Sequence, residues 1–205
     1  MVFFILLELI CQIYIKSDYN LYTKKTMEKT LIIVKPDATA RNLTGEIISR
    51  LERTWLKMIS GRYGIASKEI LDLHYPASRT EWIQTLGART QEWYSELWLD
   101  VMWGFGTIDN LQIWLKVRDR LSDAMWNGYT FAAVFEWNNS IAIVRKIIWS
   151  TIPEKANPGT IRGDYSIDTV AAANLSKRPI NNLIHASGNI EEAEYEVTLW
   201  FPELK

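Results

Sequence analysis

The order of the apolar runs is the feature of this sequence that most restricts the fold. Runs typical of a buried strand alternate with amphipathic helical patterns in the order strand, helix, strand, and this order occurs twice. The strand runs lie at 30–34, 58–66, 129–136 and 183–184, and the intervening helices lie at 44–55 and 140–148. Such a split βαβ order predicts an α+β sandwich, in which an antiparallel sheet carries its helices on one face.

A single histidine separates the last strand run from the last helix. His185 follows the run at 183–184, and the residues at 186–188 predict a tight turn. Asn189 is the predicted N-cap of the helix, with Glu192 as its reciprocal partner in a capping box. The core face of this helix consists of residues at helical spacing, namely Ile190, Ala193, Val197 and Trp200. A histidine in this position is held rigidly and can reach a ligand, although a lone histidine is more often structural than catalytic.

The composition limits the class of protein. The chain has 205 residues, 48% of them hydrophobic, which suits one domain with an insertion or with a tail. Its net charge of −1 provides no bulk positive field, so no nucleic acid is expected as a partner. The one cysteine, Cys11, excludes an internal disulfide framework and fits a reducing compartment, and we expect a cytoplasmic protein.

We interpret residues 1–26 as a dispensable extension. Residues 1–15 are apolar, but Glu8 and Gln12 interrupt them, and they are shorter than the ~20 apolar residues that a membrane span needs. They have neither the basic start nor the small-residue cleavage site of a signal peptide. Met27, close before the first strand, resembles a natural start. A membrane anchor at 1–15 is the alternative, and a membrane is not an expected partner.

We predict one domain at 27–205 that contains a helical insertion at about 76–128. Three weaker helical patterns, polar outside and aromatic within, lie in this insertion at 79–86, 92–101 and 110–125. We interpret them as an inserted layer or lid. The segment at 150–167 is a long loop rich in turn residues, and such loops are usually functional or disordered.

The residues suited to chemistry are cations and polar groups near the ends of elements. The sequence has no GxxxxGK[ST] or GxGxxG phosphate loop and no His/Cys cluster of the metal-binding type. The candidates to surround His185 are Lys35, Arg145, Thr151, Arg162 and Asn182. Two guanidinium groups, a lysine and a hydroxyl around one histidine would cradle a polyphosphate. Each cation alone is more simply an ordinary solvated side chain, and only the combination indicates a site.

Three motifs resemble those of the nucleoside diphosphate kinase family. They are Val34-Lys35-Pro36-Asp37, the loop Pro158-Gly159-Thr160-Ile161-Arg162-Gly163-Asp164, and Asn182-Leu183-Ile184-His185-Ala186-Ser187. The acidic helix at 191–196 and Leu199-Trp200-Phe201 support the resemblance. It covers about 30–75 and 129–204, and the motifs occur in the family's order.

The resemblance implies a ferredoxin-like α/β sandwich with a four-stranded antiparallel sheet. It also implies an enzyme that transfers the γ-phosphate of a nucleoside triphosphate to a nucleoside diphosphate through a phosphorylated His185, in a ping-pong mechanism. Mg²⁺ is implied as the cofactor, bound through the nucleotide phosphates and not by protein ligands. A homo-oligomer is implied as well. The alternative is a non-catalytic nucleotide-binding or regulatory protein of the same fold, which would have no need of the histidine.

The resemblance also implies a role for each candidate residue. The phosphates are assigned to Lys35, Arg145, Thr151 and Arg162, and the sugar to Asn182. Tyr75 is placed beside the histidine, and Glu196 where a carboxylate orients the imidazole. Without the resemblance, Tyr75 would be a buried aromatic residue and Glu196 a solvated helix residue. Trp82 is the candidate for the aromatic side chain that stacks on the base.

The sequence departs from the family in three respects. Ala186 stands where the family usually has glycine. The segment between Tyr75 and Tyr129 is longer than in a typical member, and a second, shorter insertion lies at about 168–177. Both insertions lie near the predicted nucleotide mouth, so base preference and subunit contacts do not follow from the resemblance.

The number of tryptophans is the third departure, with ten Trp and ten Gly in the chain. Trp55, Trp137 and Trp149 stand where the family commonly has glycine, and Trp55 and Trp149 each follow a helix, where glycine suits a left-handed cap. Four further tryptophans stand at positions where a glycine would end or interrupt an element, although the family has no firm pattern there. They are Trp98, Trp103, Trp114 and Trp126. Our hypothesis is that some of these codons are UGA, read as glycine in the source organism, whereas Trp82 and Trp200 are genuine. A naturally Trp-rich protein is the alternative.

Overall fold

The sheet has the predicted four antiparallel strands. The computed structural model of the protein describes residues 27–78 and 80–205, without the side chains of residues 80–82. The strands are β1 (Met27–Val34), β2 (Lys57–Gly64), β3 (Thr130–Asn138) and β4 (Ile184–Ala186), in the order β2-β3-β1-β4. Each neighbouring pair is antiparallel, which confirms the predicted fold class. The interpretations of residues 1–26, including Cys11, concern residues outside the described part.

The helices follow the predicted order in part: the separate patterns predicted at 79–86 and 92–101 are one helix over 80–96, so that division is wrong, and several other ends are shifted. The helices are α1 (Pro36–Thr39), α2 (Thr44–Glu52), α3 (Lys68–His74), α4 (Thr80–Glu96), α5 (Val101–Phe105), α6 (Asn110–Trp126), α7 (Ser140–Ile148), α8 (Ile161–Tyr165), α9 (Val170–Leu175) and α10 (Ile190–Trp200). Helix α7 has the predicted bounds, whereas α2 ends three residues earlier than predicted. The segment predicted as a loop contains α8 and a 3-10 turn at Pro153–Lys155.

Helices cover both faces of the sheet, so the prediction that they cover one face is wrong. Alternate side chains of β1 enter two separate cores, because successive residues of a strand point to opposite faces. Ile32 and Val34 pack with residues of α2 and α7, whereas Leu31 and Ile33 pack with residues of α3, α6 and α10. The continuous apolar run of β1 is typical of a strand that is buried on both faces.

The inserted helices α4, α5 and α6 pack against the loop that follows α7. A third core joins Tyr94, Phe105 and Ile113 of the insertion with Ile152 of that loop and Val170 of α9. Helix α6 also contacts α3: the Arg118 guanidinium donates from Nε to the Tyr75 carbonyl at 2.8 Å and from Nη2 to the Asp72 carboxylate at 2.5 Å. The insertion therefore lies over the segment that carries several candidate residues.

Two tryptophans have backbone conformations that favour glycine. Trp55 has φ 69° and Trp98 has φ 56°, both in the left-handed region. Trp149, for which we predicted such a cap, has φ −61° and ψ 142°, so this prediction is wrong: the chain leaves α7 in an extended conformation. Trp137 lies within β3, where it pairs with Glu28. The left-handed backbone at Trp55 therefore supports the recoding hypothesis, and the one at Trp98 supports it at a second position. At Trp149 the extended backbone gives no reason to expect a glycine.

Replacing Trp55 or Trp98 with glycine is expected to raise the free energy of unfolding by about 1 kcal/mol each. A left-handed conformation costs a non-glycine residue about 1–2 kcal/mol, and glycine recovers this at a smaller entropic cost. Little packing is lost, because the two side chains are 78% and 95% exposed. Denaturant unfolding of each variant measures the change.

Trp103→Gly is the matched control for these substitutions. Trp103 is 62% exposed but lies within α5, where glycine should lower the free energy of unfolding by about 1 kcal/mol. A loss of stability in all three variants would contradict the argument from backbone strain. UGG codons at positions 55, 137 and 149 would refute the recoding hypothesis itself.

Candidate active site

His185 is the central residue of β4, and its backbone is paired with β1. The prediction placed it after the strand, but β4 extends through it, and His185 lies opposite Ile33 in the register. On the next residue but one, the Ser187 Oγ accepts a hydrogen bond from the Leu31 backbone N–H at 3.2 Å. The backbone on both sides of the histidine is therefore held by β1, an inner strand of the sheet.

The carboxylate of Glu196 holds the imidazole of His185. Nε2 of His185 lies 2.9 Å from Oε1 of Glu196, while Oε2 accepts a hydrogen bond from the Ser187 hydroxyl at 2.7 Å. Glu196 is only 7% exposed. Burial raises the pKa of this carboxyl, but the nearby His185, His74 and Ser187 outweigh burial and bring it to about 2. Glu196 is therefore an ionised acceptor at neutral pH.

This pairing selects the reactive nitrogen of His185. A carboxylate accepts a hydrogen from Nε2, so in the neutral ring the lone pair remains on Nδ1. The side chain of His185 is 24% exposed, in contrast to the buried Glu196. In that tautomer Nδ1 is the nitrogen with a free lone pair, and the ring that carries it is partly accessible to a ligand.

The start of α10 confirms the predicted N-cap and alters its details. The Asn189 side chain accepts a hydrogen bond from the Glu192 backbone N–H at 2.8 Å, as predicted. Glu192, however, accepts from the backbone N–H of Gly188 at 2.8 Å and so closes the turn one residue earlier than a capping box requires. Ile190 is 57% exposed, so its predicted place on the core face is wrong. Because Ile190 is in the first turn, it lies beyond the edge of the sheet core.

Lys35 is tied to the histidine segment although the two are far apart in sequence. Its Nζ donates to the Asn182 Oδ1 at 2.7 Å, and its backbone N–H donates to the Leu183 carbonyl at 2.8 Å. The Asn182 amide in turn donates to the Thr151 carbonyl at 2.9 Å. Lys35 is 5% exposed, and burial is the main cause that lowers its pKa. These bonds bring three of the predicted residues into one network.

Arg162 is buried and is bonded to three backbone carbonyls. Its Nε donates to Asn182 at 2.9 Å, Nη1 to Ser150 at 3.0 Å and Nη2 to Ile184 at 2.5 Å. Burial lowers the pKa of its guanidinium to about 10, which leaves the group charged at neutral pH. The Arg162 side chain therefore joins the long loop to β4.

The backbone next to the site is strained at one residue. Leu183 has φ 69°, a left-handed conformation that costs a residue with a Cβ about 1–2 kcal/mol. The surrounding bonds hold it there, since its N–H donates to the Asp37 carboxylate at 2.9 Å and its carbonyl accepts from Lys35. Strain of this kind is often located at functional sites. The left-handed conformation of Leu183 lets Asn182 turn toward Lys35, while the next residue, Ile184, begins β4.

Eight of the nine predicted site residues line one cavity of about 650 Å³. They are Lys35, Tyr75, Arg145, Thr151, Arg162, Asn182, His185 and Glu196. The guanidinium of Arg145 lies 5.1 Å from the centre of the Trp149 ring, so this tryptophan packs on a cation of the cavity. The ninth residue, Trp82, lies in α4, but its side chain is outside the described part. A cavity of this size is typical of a small-molecule site.

Sequence reasoning missed three features of this cavity. The inserted helices, which were expected near the nucleotide mouth, contribute wall residues that were not predicted, including Arg89, Trp93 and Arg120. His74, to which no role was assigned from the sequence, has its ring centre 4.7 Å from that of His185. The signal available in the sequence was weak: the chain has two histidines, and the structure puts both in the site. The contact of the Ser187 hydroxyl with Glu196 was also missed.

The side chains of the site do not make a cage for Mg²⁺. Among residues 27–78 and 80–205, the group that the structure brings together as potential metal ligands is His74, His185 and Glu196. Mg²⁺ prefers six oxygen ligands in an octahedron, and two imidazoles with one shared carboxylate do not provide them. Three of the four residues assigned to the phosphates are cations instead, namely Lys35, Arg145 and Arg162. This chemistry fits a metal that reaches the site on a nucleotide.

A histidine oriented by a buried carboxylate, at a cavity lined with cations, fits an enzyme that acts on phosphate groups. The chain belongs to the nucleoside diphosphate kinase family. The model of that family, described as nucleoside diphosphate kinase, matches residues 28–84 and 116–205. The unmatched residues between them include the end of α4, all of α5 and the start of α6. The resemblance drawn from the three motifs is thus confirmed.

Individual relatives support the same assignment. The chain is 42% identical over 177 residues to a nucleoside diphosphate kinase of Pyrobaculum aerophilum, covering 86% of this chain and 96% of that protein. It is 35% identical over 175 residues to one of Staphylococcus epidermidis, covering 85% and 88%.

Solved structures share the fold. The crystal structure of an NDP kinase from Pyrobaculum aerophilum superposes with a TM-score of 0.80 at 41% identity, covering 85% of this chain and 96% of that chain. A Borrelia burgdorferi nucleoside-diphosphate kinase, solved as a transition-state mimic with vanadate and ADP, gives 0.66 at 32% identity, covering 86% and 88%. In the part of the chain that the structure describes, no helix is both long and apolar enough to cross a membrane.

Proposed function

We propose that the protein transfers the γ-phosphate of a nucleoside triphosphate to a nucleoside diphosphate, with Nδ1 of His185 as the intermediate carrier. The observation that carries the proposal is the 2.9 Å contact between His185 Nε2 and the buried, ionised Glu196, at the wall of a cation-lined cavity. A protein that only bound nucleotides would have no use for a histidine held in this way. Membership of the family supports the same reaction.

The residues at the cavity suggest the division of roles. Lys35, Arg145 and Arg162 would neutralise the phosphates, with Thr151 beside them and Asn182 at the sugar. Arg162 and Lys35 are already fixed by hydrogen bonds, so they need little reorganisation when a ligand binds. Tyr75 is buried at the same wall, and burial raises the pKa of its hydroxyl, so it stays protonated and able to donate. Trp82 remains the candidate for stacking on the base.

The chemical step follows from these roles. Nδ1 of His185 attacks the γ-phosphorus, the bond to the β-γ bridging oxygen breaks, and the nucleoside diphosphate leaves. Glu196 stabilises the positive charge that develops on the imidazole. A second nucleoside diphosphate then attacks the phosphohistidine in the reverse sense. Mg²⁺, bound through the phosphates, would supply further charge neutralisation, and the protein's main contributions are alignment and fixed charge.

We also propose a homo-oligomeric, cytoplasmic protein, on the basis of the family alone. Sedimentation equilibrium tests the first part, and a monomer at micromolar concentration would contradict it. Fractionation of the source cells tests the second part.

The test of the reaction is incubation of the protein with γ-³²P-ATP and Mg²⁺. We expect one labelled phosphate per active chain, labile in acid and stable in base, as a phosphohistidine is. Each of ADP, GDP, CDP and UDP should discharge the label as the corresponding triphosphate. The absence of label, or label that is stable in acid and lost in base, would contradict the proposal. Preparations with and without residues 1–26 test whether that segment is dispensable.

A further inference from the structure

His74 and Trp200 form a pair behind His185 that the proposed reaction does not use. His74 ends α3 and Trp200 ends α10, and they are 5% and 6% exposed. The indole Nε1–H of Trp200 donates to Nδ1 of His74 at 3.3 Å. The ring of His74 stands edge-on to that of His185, with an interplanar angle of 82°. Any change in His74 therefore acts directly next to the candidate nucleophile.

Both imidazoles lie close to one oxygen of Glu196. Oε1 is 2.9 Å from Nε2 of His185 and 3.8 Å from Nδ1 of His74. The other oxygen, Oε2, accepts from the Ser187 hydroxyl. An N–H on Nδ1 of His74 would point into the region of Oε1, and it would compete with His185 for that oxygen.

The tautomer of His74 prevents this competition. Because Nδ1 accepts the hydrogen of Trp200, the neutral ring carries its own hydrogen on Nε2 and has none to donate to Glu196. Burial, reinforced by His185, lowers the pKa of His74 to about 3, so the ring does not gain a second N–H near neutral pH. Nε2 has no hydrogen-bond partner within the described part of the chain. An Nε2–H that is buried without an acceptor is costly, so the surroundings of Nε2 do not favour this tautomer. The hydrogen bond from Trp200 to Nδ1 is what selects it.

We propose that Trp200 is a positioning residue: by holding His74 in its Nε2–H tautomer, it reserves Oε1 of Glu196 for His185. This inference rests on the proposed function of His185. Without the indole N–H, His74 is free to carry its hydrogen on Nδ1, and a small rotation brings that hydrogen within bonding distance of Oε1. Glu196 is then shared, and the imidazole of His185 is no longer held in the tautomer that exposes Nδ1.

The test is Trp200→Phe, which keeps an aromatic ring and removes the donor. We expect the rate of phosphoenzyme formation to fall by about 10-fold or more, which is usual when the partner that orients a functional histidine is lost. The KM for ATP should change less than about twofold, because Trp200 does not line the cavity. Trp137→Phe is the matched control: Trp137 is a half-buried tryptophan of the other core and should leave the rate unchanged.

Nitrogen NMR of ¹⁵N-histidine protein provides the readout that a merely structural effect would not change. With two histidines in the chain, the spectrum is simple to assign. Wild-type His74 should show a protonated Nε2 and an unprotonated Nδ1 at neutral pH, and Trp200→Phe should shift protonation toward Nδ1. A protonated Nδ1 in the wild-type protein would overturn the proposal, even if the variant did not fold.

The double variant Trp200→Phe/His74→Phe completes the test. It removes the competing donor, so the rate should recover at least about threefold over Trp200→Phe, because Glu196 again has His185 as its only imidazole donor. A wild-type rate in Trp200→Phe, or no recovery in the double variant, would overturn the proposal. If the wild-type protein itself acquires no label on His185, the proposed function fails instead, and the two failures are thus distinguished.

Discussion

His185→Asn is expected to eliminate the phosphoenzyme and to lower kcat for phosphate exchange between nucleotides by at least about 10⁴-fold, as removal of a nucleophile does in other enzymes with covalent intermediates. Asparagine is smaller than histidine: its amide lies near the place of Nδ1, carries no nucleophilic lone pair and does not reach Glu196 as Nε2 does. The 2.9 Å contact with Glu196 and the acceptor of the phosphate are therefore lost together. Labelling with γ-³²P-ATP and a coupled steady-state assay measure both effects.

Nucleotide binding and stability serve as controls for this variant. His185 is not a phosphate-neutralising cation, so the Kd for ATP should change less than about tenfold, or 1.4 kcal/mol. The unfolding transition should remain cooperative, since β4 is held by its backbone pairing with β1. Stable labelling of His185→Asn would show that another residue is the nucleophile.

Arg162→Lys is expected to lower the free energy of unfolding by about 2–4 kcal/mol and to raise the KM for nucleotides by about 10–100-fold. Arg162 donates to three backbone carbonyls, and a lysine ammonium cannot reach all three from one point. Each hydrogen bond from a charged donor contributes about 1.5–3 kcal/mol, and carbonyls left buried without a donor add a penalty. The loop that carries Thr151 would lose its link to β4, so the phosphate site should loosen too.

Arg145→Lys is the matched control for Arg162→Lys, because it makes the same chemical change in the same cavity. The Arg145 guanidinium packs over the Trp149 ring, and this contact is worth about 0.5–1 kcal/mol at a partly exposed site. We expect a stability loss below about 1 kcal/mol, together with a rise in KM. Denaturant unfolding and initial rates separate the two quantities. Equal stability losses in both variants would contradict the role of Arg162 as a link between loop and strand.

The site shows where sequence reasoning succeeds and where it stops. Lys35 and His185 were both predicted as site residues, because each lies at the end of an apolar run that can be recognised from neighbouring positions. Lys35 follows β1, and His185 is part of β4. The bond from Lys35 to Asn182 spans 147 positions, and no local pattern encodes it. Glu196 would pass for a solvated helix residue by its neighbours in sequence, yet it is buried, because α10 lies across the sheet beside β1. Its burial and pKa are therefore products of packing.

The errors have the same origin. Helices were expected on one face of the sheet, but β1 is apolar at consecutive positions, and both faces are covered. Trp149 was expected to need a left-handed cap because it follows a helix, but the chain leaves α7 extended so that the loop can reach Arg162. A helix end is a local signal, whereas the direction in which the chain leaves it depends on distant contacts.

The sequence by itself determined the order of strands and helices, the family and the identity of most candidate residues, because periodicity, capping and motifs are written in neighbouring positions. Only the tertiary structure decided that eight of those side chains share one cavity, that the inserted helices form part of its wall, and that Trp200 contacts His74 across 126 positions. Burial, hydrogen-bond partners and the resulting shifts in pKa depend on which surfaces meet, and that information exists only once the chain is folded.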